Sequence, residues 1–322
     1  MVRTTFVVIA GLCTAFLSCN VPAQTYPSQP IRFVVPFTPG TGMDIIARTV
    51  APKLSERLGQ PVVVENKPGA SGNIGAEAVA RAPADGHTLM VQANTLLMAA
   101  NLYPNVPFNP VSDFSPVSLA AWGTLMLVAN PRTGIDSVAA LIAQAKSQPG
   151  RITYGSPGIG TPHHMAMELF QDLTNTRFLH VPYKGSAGAV TDILSGQINV
   201  MFLPIHVAMS FVKAGKLRAL AVGSAKRHPT APDLPSLEEL GIRGAEVSIW
   251  YAFLAPKGTP APVVGKLNHE LKSILGQREL KEIFEKQGMD AATSTPDELQ
   301  SLIQRDYVRW GQVIKKNNIK GE

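Results

Sequence analysis

The sequence contains very little cysteine: only Cys13 and Cys19 occur among its 322 residues, and both lie near the beginning of the chain. Everything beyond residue 19 has no thiol, which excludes disulfide bonds, cysteine nucleophiles and thiolate metal ligands there. A chain without thiols is compatible with an oxidising compartment.

The apolar run Phe6–Phe16 is too short to span a bilayer. It follows an arginine and precedes the small-residue site Val21-Pro22-Ala23, a pattern typical of a secretory signal. We therefore expect residues 1–23 to be a cleavable signal peptide and the mature protein to be periplasmic. Acylation of Cys19 is the alternative, but Phe16 stands where such a signal usually has leucine. The remainder is long enough for two sizeable cores.

Concentrated charge is also missing. Lys and Arg total 29 against 23 Asp and Glu, a net charge of +6, and no long run of one sign occurs. A dispersed basic excess attracts small anions, whereas nucleic-acid-binding proteins concentrate their basic residues. The aromatic residues are scattered and do not alternate with basic ones, so we expect no nucleic-acid partner.

Motifs for catalysis and cofactors are missing as well. A hydrolase elbow needs Gly-x-Ser-x-Gly, a spacing that Ser156 lacks, and a dinucleotide site needs a third glycine after Gly40 and Gly42. His164 and Glu168 lie one helical turn apart, but such a pair is too small a ligand set to predict a metal. We therefore expect no catalytic residue, cofactor or metal, and a secreted α/β hydrolase becomes the weaker alternative. Turnover of a carboxylate, rather than stoichiometric binding, would distinguish it.

The clearest feature that is present runs from residue 31 to residue 58. Ile31–Val35 is a short, mostly β-branched run, and residues 36–42 form a turn rich in glycine and proline. Apolar residues then recur at every fourth position, as in an amphipathic helix: Ile46, Val50, Leu54 and Leu58. At a strand-turn-helix elbow of this kind, unpaired N–H groups and the helix dipole can hold an anion without a cationic side chain.

Strands and helices alternate through most of the chain, which predicts an α/β fold with mainly parallel sheets. A second glycine-rich elbow, Gly155–Thr161, follows the predicted strand Ile152–Tyr154. Ligands bind beyond the carboxyl ends of such strands, where the turn Asn66–Asn73 is also expected. Residues 96–118 contain four prolines and are predicted to be an irregular surface connection, after which Leu125–Ala129 resumes a strand.

Several longer motifs occur along the chain: Pro36-Phe37 with Gly40 and Gly42, Val63–Ala70, Ala82–Leu89, Tyr154–His164, Val181–Gly185, Gly215–Val222 and Trp250–Thr259. Together, and in this order, they resemble the extracytoplasmic substrate-binding proteins of tripartite tricarboxylate transporters, the Bug/TctC family. The resemblance covers nearly the whole chain after the predicted signal.

This resemblance implies a two-lobed periplasmic binding fold of type II-like organisation. Each lobe would be a mainly parallel sheet flanked by helices, with the ligand in the cleft between the lobes. Residues 24–124 plus 247–322 would form lobe 1, and residues 125–246 would form lobe 2. The implied ligand is a small carboxylate, the implied partners are the inner-membrane permease subunits of the transporter, and the implied state is a monomer.

The resemblance also implies which residues contact the ligand. They lie in the two elbows and in the loop after a later strand: Phe37, Thr38, Gly40, Thr41, Gly42, Met43, Ser156, Gly158, Gly160, Thr161, Tyr183, Lys184 and Gly185. Asn94 follows the third predicted strand and suits either a turn or the cleft, and Lys184 suits either the ligand or solvent. Trp250 and Tyr251 are interpreted as core or hinge packing.

Two departures from the family pattern affect the expected ligand. The usual Gly-Gly pair of the first elbow is split by Thr41, which leaves the backbone path there open. Leu203 stands after Phe202 where many members have an acidic residue, so an ammonium would lose its partner at a cost of about 1–3 kcal/mol. With Phe37 and Met43 these two residues would make one wall apolar. We expect a mono- or dicarboxylate without an amine, aromatic acids included; a ligand sensor for a membrane signalling protein is the remaining alternative.

Overall fold

The computed structural model describes residues 26–103 and 105–321. The predicted signal peptide, residues 1–23, lies outside this range. Within the range no helix is both long and apolar enough to cross a membrane.

Strands and helices alternate through the described residues. The ten strands are β1 (Ile31–Val35), β2 (Val62–Asn66), β3 (Thr88–Ala93), β4 (Phe114–Ala129), β5 (Thr153–Ser156), β6 (Leu179–Pro182), β7 (Val200–Pro204), β8 (Arg218–Val222), β9 (Ser248–Pro256) and β10 (Met289–Ala291). The ten α-helices are α1 (Gly42–Leu58), α2 (Asn73–Ala80), α3 (Thr95–Leu102), α4 (Val138–Ser147), α5 (Pro162–Thr174), α6 (Ser186–Ser195), α7 (Ile205–Lys213), α8 (Ala261–Leu275), α9 (Arg278–Lys286) and α10 (Pro296–Lys316).

The strands form one mixed sheet in the order β2-β1-β3-β9-β4-β7-β5-β6, and β8 and β10 also pair with β4. The pairings of β1 with β2 and β3 and of β5 with β6 and β7 are parallel. The pairings that involve β4 or β9 are antiparallel. The predicted α/β class is confirmed, and the structure adds that the parallel strands lie toward both ends with an antiparallel centre between them.

The long strand β4 belongs to both ends of this sheet. It pairs with β9 as far as Thr124, opposite Ser248, and with β7 from Leu125, opposite Pro204. We call β2, β1, β3, β9, β10 and the first part of β4 the first half-sheet. The second half-sheet comprises the last part of β4 with β5, β6, β7 and β8.

The predicted strand, turn and helix between residues 31 and 58 are confirmed by β1 and α1. Ile46, Val50 and Leu54 are fully buried, as their fourfold spacing requires. The helix ends at Gly59, whose φ of 69° lies in the left-handed region that favours glycine. This packing fixes the start of α1 at the carboxyl end of β1.

The prediction that residues 96–118 form an irregular surface connection is wrong at both ends of the segment, and only the described residues between Leu102 and Phe114 lack a helix or strand. Helix α3 occupies the first part, and its Leu96, Leu97 and Met98 are almost completely buried. A helix that is apolar on every side has no amphipathic periodicity, so the pattern gave no signal. The last part already belongs to β4, which accommodates Pro116 because its pairing with β9 shifts register between Pro116 and Ser118.

Candidate functional site

Two neighbouring cavities are lined by residues from both half-sheets and the segments that follow their strands. The outer cavity has a volume of about 480 Å³ and the inner pocket one of about 90 Å³. Phe37 and Pro157 line both, so the two cavities are neighbours. We call Thr38–Met43 the first elbow and Ser156–Thr161 the second elbow, and residues of both elbows line the cavities.

Most of the residues predicted to contact a ligand line one cavity or the other. The outer cavity is lined by Phe37, Thr38, Gly158, Tyr183, Lys184 and Gly185. The inner pocket is lined by Phe37, Gly40, Thr41, Gly42, Met43, Thr161 and Leu203. Three of the four residues predicted to form an apolar wall, Phe37, Met43 and Leu203, line the inner pocket, whereas Phe202 does not.

Asn94, Ser156, Gly160 and Phe202 line neither cavity. Asn94 is fully buried and donates a hydrogen bond to the Ser248 carbonyl at 2.9 Å. Phe202 is 1% exposed and packs in the core around β7. Sequence periodicity places a residue near a strand end, but it does not show which way the side chain faces.

The other two residues support the second elbow from behind. The Ser156 hydroxyl is buried, lies 2.7 Å from His180 Nε2 and accepts a hydrogen bond from the Gly158 N–H. Gly160 donates its N–H to His164 Nδ1 at 3.1 Å, and a Cβ there would lie 2.5 Å from Leu102. Both residues position the elbow without reaching the cavity.

The inner pocket is lined by the beginnings of five helices. First-turn residues of α1, α3, α5, α6 and α7 contribute to it: Gly42, Met43, Thr95, Pro162, His163, Ser186, His206 and Val207. None of the five N-cap residues hydrogen-bonds through its side chain to its own helix. First-turn N–H groups have no acceptor within a helix, so the positive ends of five helices lie at one small space.

Side-chain charge is missing from this space. None of the residues that line the inner pocket is Asp, Glu, Lys or Arg. The outer cavity has one charged residue in its lining, the exposed Lys184. Helix ends are therefore the dominant source of positive potential in the inner pocket, and they suit an anion.

Asp44 supports the first elbow from within the first turn of α1. It accepts hydrogen bonds from the Gly40 N–H at 3.0 Å, from Asn66 Nδ2 at 2.9 Å and from Arg48 Nε at 3.0 Å. Burial alone would raise the pKa of Asp44, but the hydrogen bonds from Arg48, Gly40 and Asn66 outweigh it and hold that pKa below its ordinary value. The carboxylate is thus a stable brace for the turn.

His164 supports the second elbow from the position that corresponds to Asp44, four residues after the glycine. Its Nδ1 accepts from Gly160, which fixes the neutral tautomer with the proton on Nε2. Burial lowers the pKa of His164 to about 3 and that of the stacked His180 to about 4. Both rings are therefore neutral at ordinary pH. Glu168 lies 3.7 Å from His164 Nε2, and burial raises the pKa of its carboxyl.

A metal site at His164 and Glu168 finds no support in this arrangement. Glu168 already accepts hydrogen bonds from Tyr154 and Gln171. Within residues 26–103 and 105–321 no group of three or more His, Cys, Asp or Glu is arranged to hold a metal ion. The surroundings of His164 explain it as a brace.

The cavities also contain residues that the sequence analysis did not select. The loop Pro68–Gly72 lines the outer cavity, and Ser71 Oγ donates across it to the Ile159 carbonyl at 3.0 Å. The sequence analysis expected the turn Asn66–Asn73 at this edge of the sheet, and its glycines were the feature that could have identified these residues. Tyr251, interpreted as packing, is 4% exposed but lines the inner pocket beside Gly42, where a Cβ would lie 2.5 Å from its hydroxyl oxygen.

His163 and His206 also line the inner pocket and were not selected from the sequence. Each lies in the first turn of a helix that starts at the cleft, α5 and α7. No motif identifies them, because their role depends on the way the two half-sheets meet. Trp250 agrees with its interpretation as packing: it is fully buried and donates from Nε1 to Asp306 at 2.7 Å.

Comparison with known proteins finds close relatives. The family model of the tripartite tricarboxylate transporter family receptor matches residues 46–319. The protein BugT of Bordetella pertussis is 37% identical over 322 residues, which cover 99% of each chain. A protein of R. palustris solved with adipate has 33% identity and a TM-score of 0.87, covering 92% of this chain and all of that one. MatC from Rhodopseudomonas palustris, solved with bound malate, has 29% identity and a TM-score of 0.83, covering 90% of this chain and all of that one.

Proposed function

Because this chain belongs to the tripartite tricarboxylate transporter receptor family, we propose that it is a periplasmic protein that captures a carboxylate without an amine between its two lobes. Members of this family are solute-binding proteins and not enzymes, so binding requires no covalent step. The proposal concerns the class of ligand, the residues that hold it and the partner that receives it.

The observation that supports a carboxylate most directly is the inner pocket. Five helix beginnings meet there without side-chain caps and without a cation in the lining. Backbone N–H groups and helix dipoles together can stabilise one negative charge in a small space. The ligand carboxylate would lie between the starts of α1 and α5, with the rest of the molecule in the outer cavity.

The absence of an amine rests on the lining of the two cavities. Neither has an Asp or Glu in its lining, and Leu203 occupies the wall where an acidic partner would stand. An ammonium buried there would lose its hydrogen bonds to water and gain no charged acceptor. The two relatives solved with adipate and malate hold carboxylates that also have no amine.

We propose that the two elbows are the jaws of the site and belong to different lobes. Residues 24–124 plus 247–322 would form lobe 1 and residues 125–246 lobe 2; the change of partners along β4, between Thr124 and Leu125, supports this division. Neither elbow alone supplies all the N–H groups that converge on the pocket, so closure of the lobes would complete the site. The hydrogen bond from Ser71 to Ile159 joins the two sides.

A thermal-shift screen across aliphatic and aromatic carboxylates tests the ligand class. A ligand that binds only the folded state raises the melting temperature by mass action. Calorimetry on matched pairs, succinate with aspartate and glutarate with glutamate, then tests the missing amine. We expect the acid without the amine to bind more tightly in each pair that binds, and tight binding of aspartate or glutamate would contradict the proposal.

Delivery to inner-membrane permease subunits is the second half of the proposed function, with the protein acting as a monomer. The measurement is uptake of the ligand found in the screen by cells that lack this protein. We expect uptake to return when the protein is restored together with its permease. Unchanged uptake in cells without the protein would argue against a transport role while leaving the binding proposal intact.

A further inference from the structure

The hydroxyl of Tyr251 is an unpartnered polar group at the inner pocket. Tyr251 is 4% exposed and lines this pocket. Its oxygen forms no hydrogen bond within residues 26–103 and 105–321, yet it does not belong to the buried polar atoms that lack both a partner and accessible surface. The oxygen therefore keeps accessible surface, and the cavity in contact with this side chain is the inner pocket.

Two glycines make room for the ring in this position. A Cβ on Gly42 would lie 2.5 Å from the Tyr251 oxygen, and a Cβ on Gly123 would lie 3.2 Å from ring atom Cε2. Neither glycine has a positive φ, so both positions need space rather than a special backbone conformation. Because Gly42 is the first residue of α1, the hydroxyl lies beside a positive helix end.

Thr95 offers a second hydroxyl of the same kind. Ala93 on β3 is paired with Tyr251 on β9, so their side chains share one face of the sheet, and Thr95 follows at the start of α3. Thr95 is 3% exposed and lines the inner pocket; its oxygen also has no hydrogen bond in the described part of the chain and is not fully inaccessible. The hydroxyls of Thr41 and Thr161, in contrast, already donate to backbone carbonyls.

The surroundings of the two free hydroxyls restrict the chemistry of their partner. Buried polar atoms are normally paired, so unpaired ones that reach a cavity indicate a partner from outside the chain. Burial raises the pKa of Tyr251, so its hydroxyl keeps the hydrogen that it can donate. The helix beginnings around the pocket add only N–H donors, whereas an ionised carboxylate only accepts and has two oxygens.

Building on the proposed function, we propose that Tyr251 and Thr95 donate their hydroxyl hydrogens to the carboxylate of the ligand. Both side chains lie at a space of only about 90 Å³, so one carboxylate can reach both of them. Hydrogen bonds to a charged acceptor are stronger than those between neutral groups. The pocket would thus bind the anion with neutral hydroxyls and helix ends in place of a cationic side chain.

The test is calorimetry on six acids with different chains: succinate, glutarate, adipate, malate, benzoate and phenylacetate. Tyr251→Phe keeps the ring and removes only the oxygen, and Thr95→Val removes the other hydroxyl. For every acid that binds the wild-type protein, we expect each variant to bind about tenfold more weakly or worse. The loss should be similar for all of these acids, because they share only the carboxylate.

Stability without ligand separates binding from a structural role. An unpaired hydroxyl contributes no hydrogen bond to the fold, so Tyr251→Phe should leave the melting temperature unchanged or raise it. Thr95→Ser keeps a hydroxyl and should retain most of the affinity even if Thr95→Val folds poorly. The matched control is Tyr307→Phe, which removes the same atom from a half-buried tyrosine on α10 outside both cavities and should leave the affinity unchanged.

The outcomes distinguish this inference from the function on which it rests. If none of the six acids binds the wild-type protein, the proposed function fails for ligands of this size and the inference fails with it. If acids bind and Tyr251→Phe binds them as tightly, only the inference is overturned. It is also overturned if the loss is confined to some of the acids that bind, or if Tyr251→Phe lowers the melting temperature without ligand.

Discussion

The two elbows have nearly the same backbone but are supported by opposite chemistry. In each, a glycine with positive φ precedes a threonine N-cap: Gly40 at 83° and Thr41 at −77° in the first elbow, Gly160 at 75° and Thr161 at −79° in the second. Each threonine hydroxyl donates to the carbonyl three residues earlier, at 3.1 Å and 2.8 Å. The same turn conformation therefore occurs twice, after the carboxyl end of β1 and after that of β5.

The difference lies four residues after each glycine. The Gly40 N–H is accepted by the carboxylate of Asp44, and the Gly160 N–H by the neutral ring of His164. One turn further along, Asp44 has the cation Arg48 as its partner, whereas His164 has the carboxyl of Glu168. A single backbone geometry therefore tolerates two buried braces, one ionised beside a half-exposed cation and one neutral beside a partly buried carboxyl, each matched to its own neighbour.

Exchanging the neutral brace for a charged one should have the largest effect. His164 is only 4% exposed, so His164→Asp would place a buried carboxylate beside Glu168. No cation there corresponds to Arg48 in the first elbow. An unpaired buried charge is costly, and we expect the free energy of unfolding to fall by about 3–5 kcal/mol in urea denaturation at pH 7. His164→Asn, which keeps a neutral acceptor, is the control. Equal losses in both variants would show that charge is not what separates the two elbows.

Neutralising the other brace should have a smaller effect. Asp44→Asn keeps an oxygen that can accept from Gly40 but removes the charge that binds Arg48, whose side chain is half exposed. Solvent already screens this pair, so we expect a loss of about 1–2 kcal/mol. The matched control is Arg48→Gln, which should cost no more than Asp44→Asn. A loss as large as that of His164→Asp would contradict the difference between a brace paired with a solvent-screened cation and a neutral brace beside a carboxyl.

The two braces should lose their contributions to folding stability at different pH values. Burial holds the pKa of His164 at about 3, below its ordinary 6.5, so the unfolded chain binds the proton first as the pH falls. Stability is therefore fully present above pH 6.5 and decreases below it, by about 1 kcal/mol per pH unit for each such histidine. The same sign holds for His163, His180 and His206, whose pKa burial lowers to about 4.

The pKa of Asp44 is also lowered, but from an ordinary value of 3.8, so its contribution is lost only in stronger acid. Urea denaturation between pH 7 and pH 4.5 measures the first window alone. We expect His164→Asn to flatten the slope there by about one proton and Asp44→Asn to leave it unchanged. A slope altered equally by both variants would show that the two elbows titrate together.

The sequence predicts the part of this comparison that depends on local structure. Glycines, prolines and the fourfold spacing of Ile46, Val50 and Leu54 gave the first elbow and its helix, and the structure confirms them. The doubt about Thr41 is also resolved, because Gly40 alone carries the positive φ and Thr41 is extended. Turns and amphipathic helices depend mainly on residues close together in the sequence, so they can be predicted from it.

What the sequence does not predict depends on packing between distant segments. The braces Asp44 and His164 look unrelated until their glycine partners are seen. His206 and Tyr251 reach the inner pocket only because β7 and β9 both lie beside β4. Helix α3 was missed for the related reason that it is buried on every side. Direction of side chains and contacts across a cleft are tertiary properties, which periodicity cannot supply.

The smallest effect on stability, and the most informative for binding, is expected at the threonine of the first elbow. Thr41→Gly removes one hydrogen bond to Thr38 and a hydroxyl from the inner pocket, while glycine is a tolerated N-cap. We expect a loss of about 0.5 kcal/mol in unfolding but a several-fold change in the ratio of affinities for malate and succinate. Thr41→Ser, which keeps the hydroxyl, should retain the wild-type ratio.

Thr161→Gly should cost more stability, because Thr161 is only 3% exposed and its hydrogen bond is shorter. If Thr41→Gly instead lowers stability as much as Thr161→Gly and leaves the ratio unchanged, the first elbow acts as a structural turn and the selection of ligands lies on the second side of the cleft.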